Sequence, residues 1–288
     1  FGIEYSHRDF SDDYAEPLPP LDVCYWKNPS FHNRKLYLGS AGIYKEKFKT
    51  ANLIYGYGFT EYVATGYKAE LIGGYMDGEF ESGPSGGVTF LGGDFTRLGY
   101  FMGSASLGSS YNKSLRRAFQ STISLQLDYS TNMIPAGVNN IRQFIRINYL
   151  KGINREEGAQ AWIRLNSTTG PRDIYVYTYG RERLAMHAET VLFTRWQPLG
   201  FRVALYGFLD AAFIGSERNI FRNDFYSAIG IGIRLKNEMF VFSTIQLSLS
   251  IALNKNGLIR NDWIMLDFQQ RMQSPRYIPE RPMPIAYM

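Results

Sequence analysis

The stretch VFSTIQLSLSIAL at residues 241–253 alternates between two kinds of side chain. Residues 245, 247, 249 and 251 are aliphatic, and residues 244, 246, 248 and 250 are polar. A repeat of two residues is typical of a β-strand whose faces meet different surroundings. In a soluble sheet the apolar face packs on a second layer, whereas in a membrane barrel it meets lipid and the polar face lines the lumen. This stretch alone leaves both architectures open.

The rest of the chain repeats this pattern with no helical segment between the repeats. Strand-like runs of about ten residues end at turn clusters. We predict thirteen of them, at residues 1–10, 34–48, 50–60, 67–79, 86–97, 99–111, 116–130, 140–152, 182–195, 200–214, 225–237, 239–253 and 259–270. In the run 116–130 one face carries Phe119, Ser121, Ile123, Leu125, Leu127 and Tyr129, and the other carries Gln120, Thr122, Ser124, Gln126 and Asp128. The second face could not form a dry core.

Length and charge favour the membrane barrel. The runs exceed the five or six residues usual in soluble strands and match the roughly nine to eleven of a tilted membrane-crossing strand. A charge on the lipid face would cost about 2–4 kcal/mol, and the polar face carries Arg146, Glu189, Arg202, Asp210 and Arg234. We therefore predict an all-β chain in which residues 1–271 form the C-terminal part of a transmembrane antiparallel β-barrel. A soluble barrel is the alternative.

Two expectations follow for this barrel. Single-chain bacterial barrels close with an even number of strands, so we expect sixteen in all, with about three of them before Phe1. In the opening stretch Ser243, Ile245, Leu247, Leu249 and Ile251 should face lipid, while Thr244, Gln246, Ser248 and Ser250 should face the lumen. Leu247→Arg should then impair membrane assembly by about 2–4 kcal/mol, and Gln246→Arg should be nearly neutral.

The composition excludes several other classes of protein. The chain has 288 residues, 45% of them apolar, and contains no uncharged apolar run near the length of a membrane helix. Cys24 is the single cysteine, so an internal disulfide and metal sites built from several cysteines are excluded. The net charge of +5 comes from scattered Lys and Arg residues, which argues against nucleic acid as a partner.

Loop lengths orient the predicted barrel, because outer-membrane barrels keep periplasmic turns short and external loops long. The longest late connection, 153–181, is therefore expected outside the cell. The Pro-rich segment 11–33 breaks the alternation, since it then falls on the periplasmic side, and we expect a missed strand or a gap there. The tail 272–288 contains four prolines, which cannot join a ladder. We expect it to hang in the periplasm or to dock on a partner.

The C-terminal half resembles a known family in three stretches. They are NSTTGPRDIYVYTYGRERLAMHAETVLFTRW, FRVALYGFLDAAFIG and FYSAIGIGIRLKNEMFVFSTIQLSLSIAL. Over residues 140–270 the chain resembles the C-terminal barrel of the bacterial surface antigen superfamily, the BamA-type outer-membrane assembly factors. The resemblance implies a role in inserting or translocating outer-membrane proteins, with no cofactor and no covalent chemistry.

The resemblance also implies a plug in the lumen. The family's sixth external loop folds back and presents a motif of Val or Ile, Arg, Gly and an aromatic residue, whose Arg meets acids on the inner wall. PRDI matches this motif at Arg172, while Asp173 stands in place of the Gly and Ile174 in place of the aromatic residue. The matching acids are Glu189 and Asp210, which strand alternation also turns inward. A salt bridge between Arg172 and these acids would hold the loop 153–181 inside the barrel.

An ordinary polar lumen is the alternative. The two acids would then pair with Arg202 or Arg234, which face inward together with His187. Gly230 and Gly232 also face inward in the stretch AIGIGIRL. They would let the loop pack closely against the wall, or they would ease the curvature of the barrel.

The sequence offers no clear catalytic group. The three histidines, His7, His32 and His187, lack a Gly-x-Ser-x-Gly elbow or a His-x-x-x-His partner. An outer-membrane lipase could combine His187 with GSASLGSSYN, but such chemistry needs access to lipid and His187 faces the lumen. The stretch GYMDGEF resembles half of a calcium loop and lacks the remaining ligands. We therefore expect neither an enzyme nor a metal site.

The closing strand of the barrel would be 259–270, with Trp263, Ile264, Leu266 and Phe268 at a lateral seam. A client strand could add to this edge by main-chain hydrogen bonding. The implied partners are outer-membrane lipids with lipopolysaccharide, unfolded outer-membrane proteins, and periplasmic or lipoprotein accessory subunits, in the bacterial cell outer membrane. The alternatives are a passive outer-membrane channel and the membrane anchor of an upstream catalytic domain such as a lipase or phosphoesterase.

Overall fold

A computed structural model describes most of the chain. The described residues are 2–8, 34–54, 60–78, 82–113, 116–155, 163–165, 169–172, 174–176, 179–237, 244–253, 259–261, 264–267, 275–283 and 285. Within these ranges the chain is all-β, as the sequence predicts. No helix in this part of the chain is long and apolar enough to cross a bilayer.

The strands are numbered in chain order. They are β1 Gly2–Arg8, β2 Arg34–Ala51, β3 Glu61–Gly78, β4 Ser82–Thr96, β5 Gly99–Asn112, β6 Arg117–Thr131, β7 Ile134–Ala136, β8 Asn139–Ile153, β9 Ile163–Arg164, β10 Ile174–Val176, β11 Tyr179–Gly180, β12 Glu182–Phe193, β13 Arg202–Gly215, β14 Asp224–Lys236, β15 Ile245–Ala252, β16 Ile259–Asn261 and β17 Ile264–Asp267. Short 3-10 turns occur at Pro198–Gly200 and Ile220–Arg222.

Twelve of these strands form one antiparallel sheet. Its order is β1-β2-β3-β4-β5-β6-β8-β12-β13-β14-β15-β17, so that each strand pairs with its predecessor along the main path, and β7 adds to β8. The remaining strands make two small ladders, β9 with β11 and β10 with β16. Among the described residues no ladder joins β1 to β17, and the sheet is not closed.

The two faces of the sheet differ in character, and the polar face is the buried one. In β15 the side chains of Gln246 and Ser250 are 7% and 2% exposed, whereas those of Leu247 and Ile251 are 46% and 55% exposed. We call the face that carries Gln246 the inner face. The outer face continues across the sheet with exposed Leu71, Phe90, Leu107, Leu125, Leu127, Leu209, Ile229, Ile231 and Ile233. The sheet is thus apolar outside and polar inside, as alternation predicts for residues 244–251.

The sheet is rolled around its inner face. Arg142 on β8 donates through Nη1 to the carbonyl oxygens of Asn52 and Leu53, at 2.7 and 3.1 Å, in the turn between β2 and β3. Three strands separate β8 from β3 in the sheet order, so the sheet must curve to bring these groups together. Leu53 packs against an apolar cluster on β8, β12 and β13, and Ile54 is buried with Val63.

The predicted strand 50–60 is wrong. Two 18-residue strands, β2 and β3, pair continuously from Arg34 with Gly78 to Ala51 with Glu61. After Ala51 the chain turns instead: Leu53 has a φ of 58°, and Leu53 and Ile54 pack in two apolar clusters. Residues 55–59 lie outside the described residues. Once this strand is removed, the segment 11–33 and the connection 153–181 leave the sheet at the same end. Residues 11–33 lie outside the described residues. The directions of β1 and β2 on either side nevertheless place this segment at the end of the sheet where long connections are expected, so it no longer breaks the alternation of long and short connections.

Strand β6 departs from the predicted alternation at one end. Ile123, Leu125, Leu127 and Tyr129 pair along the outer face as expected, but Phe119 is only 3% exposed. Gln120 has a φ of 52°, and the register between β5 and β6 shifts between Gly108 and Ser110. An extra residue in one strand reverses the faces beyond it, and this carries Phe119 inward.

The last predicted strand is divided in two. β16 pairs with β10 of the long connection, while β17 pairs with β15 and places Ile264 opposite Leu249 and Leu266 opposite Leu247. Trp263 and Phe268 lie outside the described residues, so the composition of the proposed seam stays a prediction at those two positions.

The C-terminal tail does not project away from the sheet. Its described residues, 275–283 and 285, lie against the inner face of β1–β5, where Tyr277 is fully buried and donates its backbone N–H to Glu46 at 3.3 Å. The expectation that the tail hangs free is therefore wrong for these residues, and docking on a partner stays a prediction. Prolines exclude the tail from a ladder, but they do not prevent its side chains from packing on a wall.

Candidate functional site on the inner face

Four charged side chains meet on the inner face around the connection before β12. Arg172 comes from that connection, Glu189 from β12, Asp210 from β13 and Arg234 from β14. Their exposed fractions are 7%, 9%, 0% and 5%. Alternation turns the three strand residues inward, and buried charges of this kind require partners. We call these four residues the ion cluster.

The guanidinium group of Arg172 binds both acids. Its Nε and Nη2 donate to the two oxygens of Asp210 at 2.8 and 3.1 Å, and its Nη1 donates to Glu189 at 2.5 Å. The backbone N–H of Arg172 donates to Asp210 as well, at 3.0 Å. Burial alone would lower the pKa of Arg172, but Asp210 and Glu189 raise it above its ordinary value, so the guanidinium stays charged.

A second guanidinium group shares Glu189. Arg234 donates to the two oxygens of Glu189 at 2.5 and 2.8 Å, and through Nε to the side-chain oxygen of Gln246 at 2.7 Å. The two pairings that the sequence left as alternatives thus occur together, because Glu189 binds Arg172 and the wall residue Arg234. Planar guanidinium groups suit this forked binding of carboxylates.

His187 stands beside the same cluster. Its Nδ1 lies 3.1 Å from an oxygen of Asp210, its cross-strand neighbour on β13. The structure therefore brings together Arg172, Glu189, Asp210, Arg234 and His187 from the predicted set. It does not bring in Arg202, which lies at the start of β13 opposite Lys236.

Aromatic rings support both guanidinium groups. The Cζ atom of Arg172 lies 3.7 Å from the ring centre of Phe208, and that of Arg234 lies 4.0 Å from the ring centre of Tyr206. Guanidinium groups stack favourably on aromatic faces, and more so away from water. Phe208, Tyr206 and Gln246 are the site residues that the sequence did not predict.

The inward glycines make room for these rings. Gly230 and Gly232 are the cross-strand neighbours of Phe208 and Tyr206, and a Cβ atom on either glycine would come within 2.4 Å of the ring beside it. The glycines therefore accommodate rings from the neighbouring strand, which neither expectation from the sequence had described. The sequence could have indicated these rings, because Tyr206, Phe208 and Asp210 occupy alternate positions of β13 and therefore share one face.

We expect Gly230→Ala to lower the free energy of unfolding by about 1–3 kcal/mol, because the added methyl group would overlap Phe208 and the carbonyl oxygen of Leu249. Urea unfolding in detergent, followed by intrinsic fluorescence, measures this change. Gly207→Ala on the adjacent strand is the matched control, since its nearest atom would be 3.8 Å away. Equal effects of the two variants would contradict this account of the glycines.

Two further contacts hold the long connection to the wall. Arg183, on β12 and 2% exposed, donates to Thr169 of the connection at 3.0 Å and to Asn148 of β8 at 3.1 Å. Ile163 and Leu165 are buried in an apolar cluster with Leu150, Ala185, Ala212, Ile214, Tyr226 and Ala228. The connection is therefore folded against the inner face at three places. Asp173, which replaces the family's Gly, lies outside the described residues.

Comparison of the sequence with protein-family models and with curated proteins finds no match. Among the described residues no group of three or more His, Cys, Asp or Glu is placed to hold a metal ion. In the described geometry the cluster balances two guanidinium groups against two carboxylates and links the connection to β12, β13, β14 and, through Gln246, β15. Such an arrangement can clamp a loop against a wall.

Proposed function

We propose that this chain forms most of an outer-membrane β-barrel that inserts or translocates outer-membrane proteins, with the connection 153–181 as a lumen plug. The observation that carries the proposal is the polarity of the sheet. A buried ion cluster lies on one face, and a continuous row of exposed aliphatic side chains lies on the other. Water would disfavour that outer face, whereas the hydrocarbon core of a bilayer would accept it.

Aromatic residues support the membrane location. Outer-membrane barrels carry aromatic girdles at both interfaces. Trp196 is 66% exposed in the turn after β12, and Phe221 is 68% exposed at the other end of β13.

The ion cluster supports the plug. Arg172 belongs to a connection, yet it is held through its side chain and its backbone by carboxylates of two wall strands. This clamp stiffens the wall of β12–β14 and fills the space inside it. The passive channel is the weaker alternative, because both this connection and the C-terminal tail occupy the inner face.

The lateral seam is proposed at β17. Among the described residues β17 ends the sheet order and pairs with β15. A strand at a sheet edge offers unpaired backbone groups to a client strand. In this ladder Ile264 stands opposite Leu249 and Leu266 opposite Leu247, and the two leucines of β15 are exposed.

The proposal predicts that the chain speeds the membrane folding of a client. Vesicles of phospholipid and lipopolysaccharide that carry the chain should fold a urea-unfolded outer-membrane protein several-fold faster than empty vesicles. The folded client is scored by its shifted mobility on an unheated gel. Arg172→Ala should lose most of this acceleration, because the wall strands lose their clamp.

The matched control is Arg218→Ala, which removes an exposed Arg from the connection after β13 and should retain the acceleration. Client folding at the same rate in loaded and empty vesicles would overturn the insertase role. Steady ion conductance through the loaded vesicles without client folding would favour the passive channel instead.

A further inference from the structure

The C-terminal tail crosses the inner face of β1–β5, on the wall that the ion cluster does not occupy. Tyr277 lies near β2 and β5, Arg281 and Pro282 lie near β1, and Ile285 lies on β4 and β5. The tail therefore runs across several strands instead of pairing with one. No ladder involves the described tail residues.

A pair of glycines forms the contact site for Ile285 on the wall, and we call such a contact site a seat. Gly87 and Gly108 are cross-strand neighbours on β4 and β5. A Cβ atom on Gly108 would lie 2.7 Å from Cβ and Cγ1 of Ile285, and one on Gly87 would lie 2.8 Å from its Cγ1. The absence of side chains at these two positions is what allows the isoleucine to lie on the backbone of the wall.

A second seat holds Tyr277. Its hydroxyl oxygen would be 2.6 Å from a Cβ atom on Gly93, next to the hydroxyl group of Tyr100. Tyr277 is fully buried there, and its backbone N–H binds Glu46. Side-chain seats at both ends of the segment thus position it along the wall.

Between the two seats Pro282 is buried beside Gly2 of β1, whereas residues 278–281 and 283 are exposed. Arg281 lies 3.8 Å from Glu4, and both side chains reach solvent, so this ion pair adds little. Between the tail and the wall an open cavity of about 250 Å³ remains, with Lys68, Glu70, Ser124, Glu280 and Met283 among its lining residues. The described tail therefore contacts the wall at Tyr277, Pro282 and Ile285, while the described residues between these contacts are exposed.

We infer that the inner face of β2–β5 is a binding site for an extended polypeptide segment, and that the C-terminal tail is its resident, displaceable occupant. The fitting ligand has an aliphatic side chain for the glycine pair, a tyrosine for the seat at Gly93 and prolines between them. Proline restricts an unbound segment to extended conformations, which lowers the entropy cost of binding. This inference does not rest on insertase activity, because it concerns contacts within the folded chain.

The seat at the glycine pair can be tested with a nitroxide spin label. A label at Met283→Cys, in a Cys24→Ser background, reports the motion of the tail in detergent-solubilised full-length protein. The label should be immobile in this background. Gly108→Ala should convert most of its spectrum to a mobile component, because Ile285 is the contact that its methyl group would overlap.

Two variants separate loss of the seat from damage to the wall. Gly103→Ala lies on the outer face of the same strand, where its nearest atom would be 3.8 Å away, and it should leave the label immobile. The double variant Gly108→Ala with Ile285→Gly adds a methyl group to the wall and removes the side chain that it would overlap. This double variant should immobilise the label again. A label that is mobile from the start, or that responds equally to Gly103→Ala and Gly108→Ala, would overturn the inference.

Competition tests whether the site accepts a segment from outside. A synthetic peptide with the sequence PRYIPERPMPI, residues 275–285, should raise the mobile component of the Met283→Cys label as its concentration increases. A scrambled peptide of the same composition should not. If neither peptide changes the spectrum, the tail is a fixed part of the wall and the binding site is refuted. The measurement contains no membrane and no client, so a failed insertase proposal would leave its outcome unaffected.

Discussion

Arg172→Ala should lower the free energy of unfolding by about 3–5 kcal/mol, the range for breaking a buried ion pair. The reason is that Asp210 sits on β13 with no exposed surface and stays buried after the guanidinium has gone. Glu189 keeps Arg234, whereas Asp210 is left with His187. Urea unfolding of the detergent-solubilised protein gives the change.

The opposite truncation should cost less. Asp210→Ala leaves Arg172 with Glu189, and Arg172 belongs to a connection that can move toward water, so no buried charge is left without a partner. The double variant Arg172→Ala with Asp210→Ala should therefore be more stable than Arg172→Ala alone. Arg218→Ala, the exposed control, should stay within about 0.5 kcal/mol of the unmodified chain. A double variant that loses the sum of the two single effects would show that the two residues act independently.

Leu125→Arg should impair assembly into lipid vesicles by about 2–4 kcal/mol, because it places a charge on the apolar outer face near the middle of β6. Leu125 is 44% exposed there and pairs with Ala105 of β5. Folding into vesicles over a urea series, scored by the shift in gel mobility, measures this difference. The result tests the membrane location directly, since a soluble sheet would tolerate an exposed arginine.

The control is the adjacent residue on the other face. Ser124→Arg points into the open cavity beside Glu70 and Glu280 and should cost much less than Leu125→Arg. Gln246→Arg, which the sequence predicts to be nearly neutral, is no longer a suitable control, because Gln246 binds Arg234 and a second arginine there would crowd like charges. A larger penalty for Ser124→Arg than for Leu125→Arg would mean that the faces are reversed.

Strict alternation was sufficient to predict which residues of β12–β15 face inward. Glu189, Asp210 and Arg234 all lie where a period of two places them. The pairing of Arg172 with the two acids needed more, since no period governs a connection, and it came from the resemblance of PRDI to a family motif. The rings of Phe208 and Tyr206 were missed because their contact with Gly230 and Gly232 depends on the register between strands.

The failures have local physical causes. The stretch after Ala51 alternates like a strand, but Leu53 adopts a left-handed conformation and the chain turns there. In β6 the predicted period holds from Ile123 to Tyr129, but Gln120 interrupts it and Phe119 beyond it faces inward. The tail was misplaced because prolines indicate only whether a segment can join a ladder, and the two glycines that contact Ile285 lie 177 and 198 residues earlier in the sequence. A periodic pattern within a short stretch of sequence cannot reveal a contact between residues so far apart.

The bond from Arg142 to the turn between β2 and β3 has a consequence for the order of folding events. The two carbonyl groups that it binds are 90 and 89 residues before Arg142 in the chain. The strands between must already be paired and curved before the guanidinium group can reach the two carbonyl groups. Closing so long a segment is entropically costly until neighbouring contacts have shortened it. We therefore expect the contact to form late. It should slow the unfolding of the curved sheet and contribute little to the rate at which the sheet first curves.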